Sequence, residues 1–136
     1  GICNGFQILI ECGLLPGSLI INKNIKFLSK MVSLNVVNSD SAFTHLFKKG
    51  DLISMPIAHR QGNYLADDAL LYKLEKNNQI AFRYDSENLN GSVSSIAGIF
   101  SEDKNVLGMM PHPERASDNI LGSADGLNIF KSIIQF

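Results

Sequence analysis

Hydrophobic positions fall at helical spacing in three parts of the chain. Apolar residues recur with a helical period between Phe6 and Cys12, and Gly13 follows as a stop signal. Asp67 can cap the N-terminus of a short second helix that carries several leucines. A third helix is predicted over residues 124–134, and its inward face is expected to consist of Leu127, Ile129, Phe130, Ile133 and Ile134.

Runs of β-branched and apolar residues lie between these helices. They predict strands over residues 27–37, 51–58, 80–84, 96–100 and 106–110. The polar stretch at 102–105 is expected to join the last two strands as a hairpin. A turn and helix, then mainly strands, then a final helix is an order typical of a mixed sheet in an α/β fold.

Composition changes this interpretation little. The chain has 136 residues, of which 45% are hydrophobic, and a net charge of −1, so it can bury one core. No basic stripe suggests nucleic acid or an anionic membrane as a partner, and no apolar run reaches the ~18 residues of a membrane span. The two cysteines, Cys3 and Cys12, form no disulfide framework; Cys12 is predicted to be a buried small hydrophobe, and a reducing cytoplasm suits both thiols.

The first five residues carry the strongest chemical signal. In Gly-Ile-Cys-Asn-Gly a cysteine is flanked at a distance of two by Gly1 and Gly5, as in a sharp turn from a strand into a helix. A Cβ at either glycine is expected to collide with the adjoining elements. Such a turn exposes the cysteine as a nucleophile, and the N-terminus of the following helix favours its thiolate.

A second motif, Pro-His-Pro-Glu, lies near the other end of the chain. His112 can take the proton of a thiol and return it to a leaving amine. Prolines hold the segment extended, so Glu114 is expected on the same side as His112, where it can fix the imidazole tautomer. Taken alone, the Gly-Ile-Cys-Asn-Gly segment could equally be a tight turn with a buried cysteine. Taken alone, the Pro-His-Pro-Glu segment could equally be a surface loop. In this order, Cys3, His112 and Glu114 together predict a catalytic triad.

An acyl intermediate also needs an oxyanion hole, and the backbone N–H of Asn4 is one natural donor. The usual second donor, from a glycine-rich loop after an earlier strand, is not recognisable, and no strand enters the turn. We therefore expect residues 1–136 to be the C-terminal part of a single larger catalytic domain.

These segments resemble class I, triad-type glutamine amidotransferases, and more narrowly the glutaminase subunits of phosphoribosylformylglycinamidine synthases. The resemblance covers nearly the whole chain and is carried by residues 1–7 (Gly-Ile-Cys-Asn-Gly-Phe-Gln), 13–17, 88–92 (Asn-Leu-Asn-Gly-Ser), 108–115 (Gly-Met-Met-Pro-His-Pro-Glu-Arg) and 121–126. It implies a flavodoxin-like α/β fold with a mixed, mostly parallel sheet flanked by helices.

The resemblance also implies an activity. Cys3 would attack the side-chain amide of L-glutamine, and the ammonia would pass to a synthetase subunit that makes formylglycinamidine ribonucleotide in purine biosynthesis. ATP and magnesium would belong to that partner, with no cofactor or metal in this chain; in many bacteria a small third subunit bridges the two. A cytoplasmic enzyme without nucleic-acid or membrane partners is expected.

Two further positions follow from the resemblance. Gln7 matches a residue that lies against bound glutamine. Residues 58–63 match a loop usually written Ala-His-Gly-Glu-Gly, where this chain has Arg60 and Gln61 in place of Gly and Glu. His59 of that loop is either a structural histidine or part of the substrate site.

Other functions stay open at this point. Another class I amidotransferase could deliver ammonia elsewhere, and a related cysteine hydrolase could share the turn, although the His-Pro-Glu spacing disfavours it. A non-catalytic interaction domain on the same fold is the alternative from a different class.

Overall fold

The computed structural model describes residues 1–85 and 87–136, which form three α-helices and seven β-strands. The helices are α1 (Asn4–Glu11), α2 (Asp68–Lys76) and α3 (Leu127–Gln135). The strands are β1 (Ser18–Ile20), β2 (Leu28–Val36), β3 (Leu52–His59), β4 (Asn63–Leu65), β5 (Ile80–Tyr84), β6 (Ile96–Phe100) and β7 (Leu107–Met109). The predicted elements are all found, and β5 and β6 have the predicted bounds. Strands β1 and β4 were not predicted, because three residues are too few to show a period.

The main sheet has five strands in the order β3-β2-β5-β6-β7, and every neighbouring pair is antiparallel. The α/β class is confirmed, but the expected mostly parallel sheet is not what the described residues form. Parallel neighbours need a long crossover connection, whereas β6 and β7 are joined by a hairpin turn. Parallel pairing within residues 1–85 and 87–136 is limited to a bridge between Ile2 and Met109, which sets the N-terminal turn beside β7.

Two hydrophobic clusters cover the two faces of this sheet. Phe6 of α1 and Leu74 of α2 belong to one cluster, and Ile129 of α3 belongs to the other. Successive residues of one strand, such as Ile99 and Phe100, fall in different clusters, as side-chain alternation requires. The sheet therefore has α1 and α2 on one side and α3 on the other.

Helix α3 differs from the prediction in the face that it buries. Of the expected inward residues only Ile129 is buried, while Ile133 and Ile134 are exposed. The buried partner of Ile129 is Ser132, whose Oγ accepts the Leu46 N–H at 3.3 Å, so a polar anchor fixes the helix rotation.

Cys12 is exposed, so the prediction that it is a buried hydrophobe is wrong. It lies at the C-cap of α1, one residue beyond the helical turns that pack on the sheet. Asp67 caps α2 as predicted, because its side chain accepts the Leu70 N–H at 2.8 Å. None of the helices in the described ranges has the length and apolar character of a membrane span.

Candidate active site

Cys3 sits at the tip of the turn in a strained conformation. Its φ of 51° and ψ of −106° lie in a region that residues with a Cβ rarely adopt, at a cost of about 1–3 kcal/mol. The Cys3 N–H donates to the carbonyl of Met109 at 2.8 Å, and the Cys3 carbonyl accepts the Phe6 N–H at 3.0 Å. The turn is thus fixed by β7 on one side and by α1 on the other.

The two flanking glycines have different reasons to be small. A Cβ on Gly1 would lie 2.6 Å from the backbone carbonyl of Gly5, so the steric argument from the sequence holds there. A Cβ on Gly5 would meet nothing within 4 Å, so the same expectation is wrong for Gly5. In this turn the backbone of Gly1 lies close to the backbone of Gly5, and a side chain on Gly1 would prevent that approach.

His112 and Glu114 form a hydrogen-bonded pair. The distance from His112 Nδ1 to Glu114 Oε1 is 2.5 Å, and an ionised carboxylate only accepts, so Nδ1 carries the proton. His112 is 7% exposed, and its Nε2 is buried without a partner among the described residues. The segment is not extended throughout: His112 is extended, but Pro113–Arg115 form a 3₁₀ turn. That turn, begun by a proline at its first position, brings the carboxylate back to the ring.

Strand β3 brings the two motifs to one place. The Cys3 thiol donates to the carbonyl of Ala58 at 3.7 Å, and the His112 N–H donates to the carbonyl of Pro56 at 2.9 Å. Both carbonyls lie near the carboxyl end of β3. The charge of Glu114 acts on the thiol, which agrees with this proximity.

Burial raises the pKa of the Cys3 thiol above its usual value. The Asn4 N–H and the positive charge of Arg115 lower that pKa in part, whereas the negative charge of Glu114 raises it further. The resting cysteine is therefore a thiol, as its donation to Ala58 requires, and it needs a base to become a nucleophile. Asn4 begins α1, so its N–H has no intrahelical acceptor and stays available beside the sulfur.

A cavity of about 350 Å³ opens over the thiol, within the range of small-molecule sites. Its lining consists of Cys3, Gln7, Ile21, His59, Arg60 and Gln61. The Gln7 side chain donates to the backbone carbonyl of Gln61 at 2.9 Å. The Arg60 carbonyl accepts the Asn22 N–H at 2.8 Å. The loop that carries these two residues is thus bound through its main chain, which explains how it tolerates side chains other than Gly and Glu.

His59 is 3% exposed, and burial, followed by repulsion from His112 when that ring is protonated, lowers its pKa from 6.5 to about 4. Its Nδ1 lies 3.1 Å from Asn22 Oδ1, and its Nε2 is buried without a partner among the described residues. Sequence reasoning left a structural role and a substrate-site role open. In the structure, His59 is held by the contact between its Nδ1 and Asn22, and it also lines the cavity.

Sequence reasoning missed the residues that hold the loop from behind. The Gly62 carbonyl accepts the Asn90 side-chain amide at 2.8 Å and the Ser92 hydroxyl at 3.1 Å. Asn22 holds the other side of the loop through the Gly62 N–H at 2.9 Å. The Asn-Leu-Asn-Gly-Ser motif had signalled the family only, and Asn22 lies in a stretch without any motif. Their role depends on contacts that no local pattern records.

The described part of the chain brings no three His, Cys, Asp or Glu side chains together in an arrangement that could hold a metal ion. The cluster of titratable groups around Cys3 is suited to acyl transfer. It combines a thiol on a strained turn, an imidazole held by a carboxylate and a backbone N–H next to the sulfur.

The chain matches a family. A family model described as the CobB/CobQ-like glutamine amidotransferase domain covers residues 1–132, so the chain belongs to this glutamine amidotransferase family. The family resemblance predicted from the sequence is thereby confirmed.

Among solved structures, the chain is similar to a chain of PurLQS from Thermotoga maritima, with 46% identity and a TM-score of 0.89. The alignment covers 99% of this chain and 59% of that one, so the chain spans less than two thirds of its relative's length. The glutaminase domain of Trypanosoma brucei CTPS, solved with bound acivicin, matches with 16% identity and a TM-score of 0.52 over 86% of this chain and 46% of that one. At that identity the second match concerns the fold alone.

Proposed function

We propose that the chain carries the catalytic centre of a glutaminase subunit that hydrolyses L-glutamine with Cys3, His112 and Glu114. The observation that carries the proposal is the meeting of the strained Cys3 turn and the carboxylate-bound His112 at the end of β3. The similarity to a chain of PurLQS favours formylglycinamidine ribonucleotide synthesis as the pathway that uses the ammonia.

The groups suggest a two-step reaction. Nε2 of His112 takes the thiol proton while the sulfur of Cys3 attacks the amide carbon of glutamine. The C–N bond breaks, the proton goes to the leaving nitrogen, and ammonia and a γ-glutamyl thioester result. His112 then takes a proton from water, the hydroxide attacks the thioester, and glutamate leaves as the thiol is restored. Glu114 holds the Nδ1 proton throughout and stabilises the imidazolium.

The raised pKa of Cys3 gives His112 a defined task. A thiol that stays protonated at rest cannot attack by itself, so transfer of its proton to His112 must accompany the attack on the substrate. The Asn4 N–H is proposed to donate to the oxyanion of the tetrahedral intermediate. Gln7 and His59, in the wall of the cavity, are proposed to contact the substrate or shape its site.

The ammonia is proposed to pass to a synthetase subunit that holds ATP and magnesium, with a small bridging subunit in the complex. The chain would bring the amide chemistry, and the partner would bring the phosphoryl chemistry. A cytoplasmic location is part of the proposal, because reducing conditions keep Cys3 and Cys12 as free thiols.

Covalent labelling tests this proposal. The complete protein, with its synthetase partner, is treated with an electrophilic glutamine analogue such as acivicin, and the adduct is mapped by mass spectrometry. We expect label on Cys3, blocked by glutamine, and none on Cys12. Cys12 is a strong internal control because it is the more exposed thiol. Equal labelling of both thiols, or no label, would refute the assignment of Cys3 as the nucleophile.

A second experiment tests the route of the ammonia. Cys3→Ser in the complete protein is expected to abolish glutamine-dependent synthesis, while synthesis from added ammonium continues. The same variant losing ammonium-dependent synthesis as well would contradict the division of labour. Transfer of ammonia to a different acceptor by the co-purifying subunit would refute the proposed pathway but not the glutaminase chemistry.

A further inference from the structure

Asn22 is a buried side chain whose hydrogen-bonding capacity is fully used. It is 1% exposed and lies in the loop between β1 and β2. Its Nδ2 donates to the carbonyls of Lys26 and His59, each at 2.9 Å. Its Oδ1 lies 2.9 Å from the Gly62 N and 3.1 Å from the His59 Nδ1.

These contacts determine which way the amide points. Two backbone carbonyls can only accept, so the atom that faces them must be the NH₂ group. A backbone N–H can only donate, so the atom that faces Gly62 must be the oxygen. Because that same oxygen faces the imidazole of His59, Nδ1 of His59 must carry a proton, and Nε2 must be the unprotonated nitrogen of the neutral ring.

The bonds of Asn22 also shape the wall of the cavity. Residues 59–62, which we call the His59 loop, supply half of the residues that line the cavity over Cys3. The loop is held on one side by Asn22 and on the other by Asn90 and Ser92 through the Gly62 carbonyl. Of these three side chains, Asn22 is the one that hydrogen-bonds both the imidazole of His59 and the backbone of the His59 loop.

We propose that Asn22 is a positioning residue of the candidate active site, which fixes His59 as the Nδ1–H tautomer and holds the His59 loop in the shape that forms one wall of the cavity over Cys3. The proposal rests on the proposed function, because it assigns that wall to the binding of the amide substrate. His59 then stays neutral next to His112, with Nε2 as its unprotonated nitrogen.

Nitrogen NMR tests the tautomer without any use of activity. In the complete protein labelled with ¹⁵N-histidine, we expect two-bond ¹H–¹⁵N correlations to show Nδ1 of His59 protonated and Nε2 unprotonated. Asn22→Asp keeps an acceptor toward the ring and should keep the proton on Nδ1. Asn22→Ala removes the acceptor and should lose it. A wild-type spectrum with the proton on Nε2 would overturn the proposal, even if the alanine variant fails to fold.

Kinetics tests the loop. Asn22→Ala should raise KM for glutamine about tenfold to hundredfold, the range expected when buried polar groups lose a partner, with a smaller change in kcat. Asn22→Asp should not restore KM, because its second carboxylate oxygen would face the Lys26 and His59 carbonyls that the NH₂ group of Asn22 bonds. The matched control is Asn38→Ala, which removes another buried asparagine with bonds to the Asn78 carbonyl and the Asp40 N–H, each at 2.7 Å. It should lower stability without moving the His59 resonances or KM.

The possible results separate the two proposals. An Asn22→Ala variant that keeps the Nδ1–H tautomer and a wild-type KM would refute the positioning role. A KM that rises equally in Asn22→Ala and Asn38→Ala would assign the effect to general destabilisation and refute it as well. A wild-type protein without glutaminase activity but with the expected tautomer would refute the proposed function while the assignment of His59 holds.

Discussion

Gly62→Ala is expected to disturb the candidate site through a single collision. A Cβ on Gly62 would lie 2.3, 2.4 and 2.6 Å from three ring atoms of His59. Ordinary contacts between carbon atoms are about 3.5–4.0 Å, so the ring or the loop must move by roughly 1 Å. Neither moves freely, because Asn22 holds the ring and the Gly62 N–H, and Asn90 holds the Gly62 carbonyl.

The size of the effect follows from this geometry. Overpacking of a buried site costs about 1–3 kcal/mol, and about 2 kcal/mol corresponds to a fall in Tm of about 6 °C for a domain of this size. A displacement of roughly 1 Å in a substrate-binding wall can reduce kcat/KM by about 100-fold. Thermal unfolding measures the first quantity, and glutaminase kinetics on the complete protein measures the second.

A double-mutant cycle provides the control. In a His59→Ala background the ring is absent, so adding Ala at position 62 should cost little further stability. The difference between the two backgrounds measures the collision itself. Equal losses of stability in both backgrounds would refute the steric argument. A Gly62→Ala protein with unchanged Tm and kcat/KM would show that the His59 loop is far more deformable than its hydrogen bonds indicate.

Three other predictions concern single groups. Glu114→Gln should lower kcat by roughly 100-fold, which is a smaller loss than at a buried triad carboxylate because Glu114 is half exposed. Glutaminase kinetics would measure this loss, and an unchanged circular dichroism spectrum would show that the variant is folded. Full activity of the variant would contradict the triad. The pKa of His59 is about 4 in the folded chain against 6.5 unfolded, so the unfolded state binds more protons between these values. The contribution of neutral His59 to the free energy of unfolding is therefore fully present above pH ~6.5, and it falls by up to about 3 kcal/mol as the pH drops to 4. Denaturant titrations at several pH values should show a shallower pH dependence of stability in His59→Asn than in the wild type. Asp67→Ala should destabilise by about 1 kcal/mol by removing the cap of α2, whereas the neighbouring Asp68→Ala should cost clearly less, and equal losses in urea unfolding would contradict the cap.

Local patterns predicted most of the helices and strands. The helix after Cys3, the cap at Asp67 and the bounds of β5 and β6 depend on residues that are neighbours in sequence, so periodicity and capping chemistry suffice to find them. The pairing of His112 with Glu114 was predictable for the same reason, although the turn that achieves it was not.

The prediction was wrong where a packed surface decided the outcome. Cys12 and Ile134 are apolar positions in helical patterns, yet both are exposed, because the helix rotation and the end of the packed turn are set by the sheet. Gly5 looked as sterically required as Gly1, but only Gly1 faces a backbone at close range. Side-chain pattern alone does not say which face meets a neighbour.

The sequence by itself determined the turn around Cys3, the His112–Glu114 pair and the family, because each is carried by adjacent residues. Tertiary structure alone decided that β2 pairs antiparallel with both β3 and β5, and that β3 receives the Cys3 thiol from 55 residues away. It also decided that Asn22 reaches His59 across 37 residues. The physical reason is that strand register and loop packing set these contacts, and they are satisfied only when the whole sheet has formed.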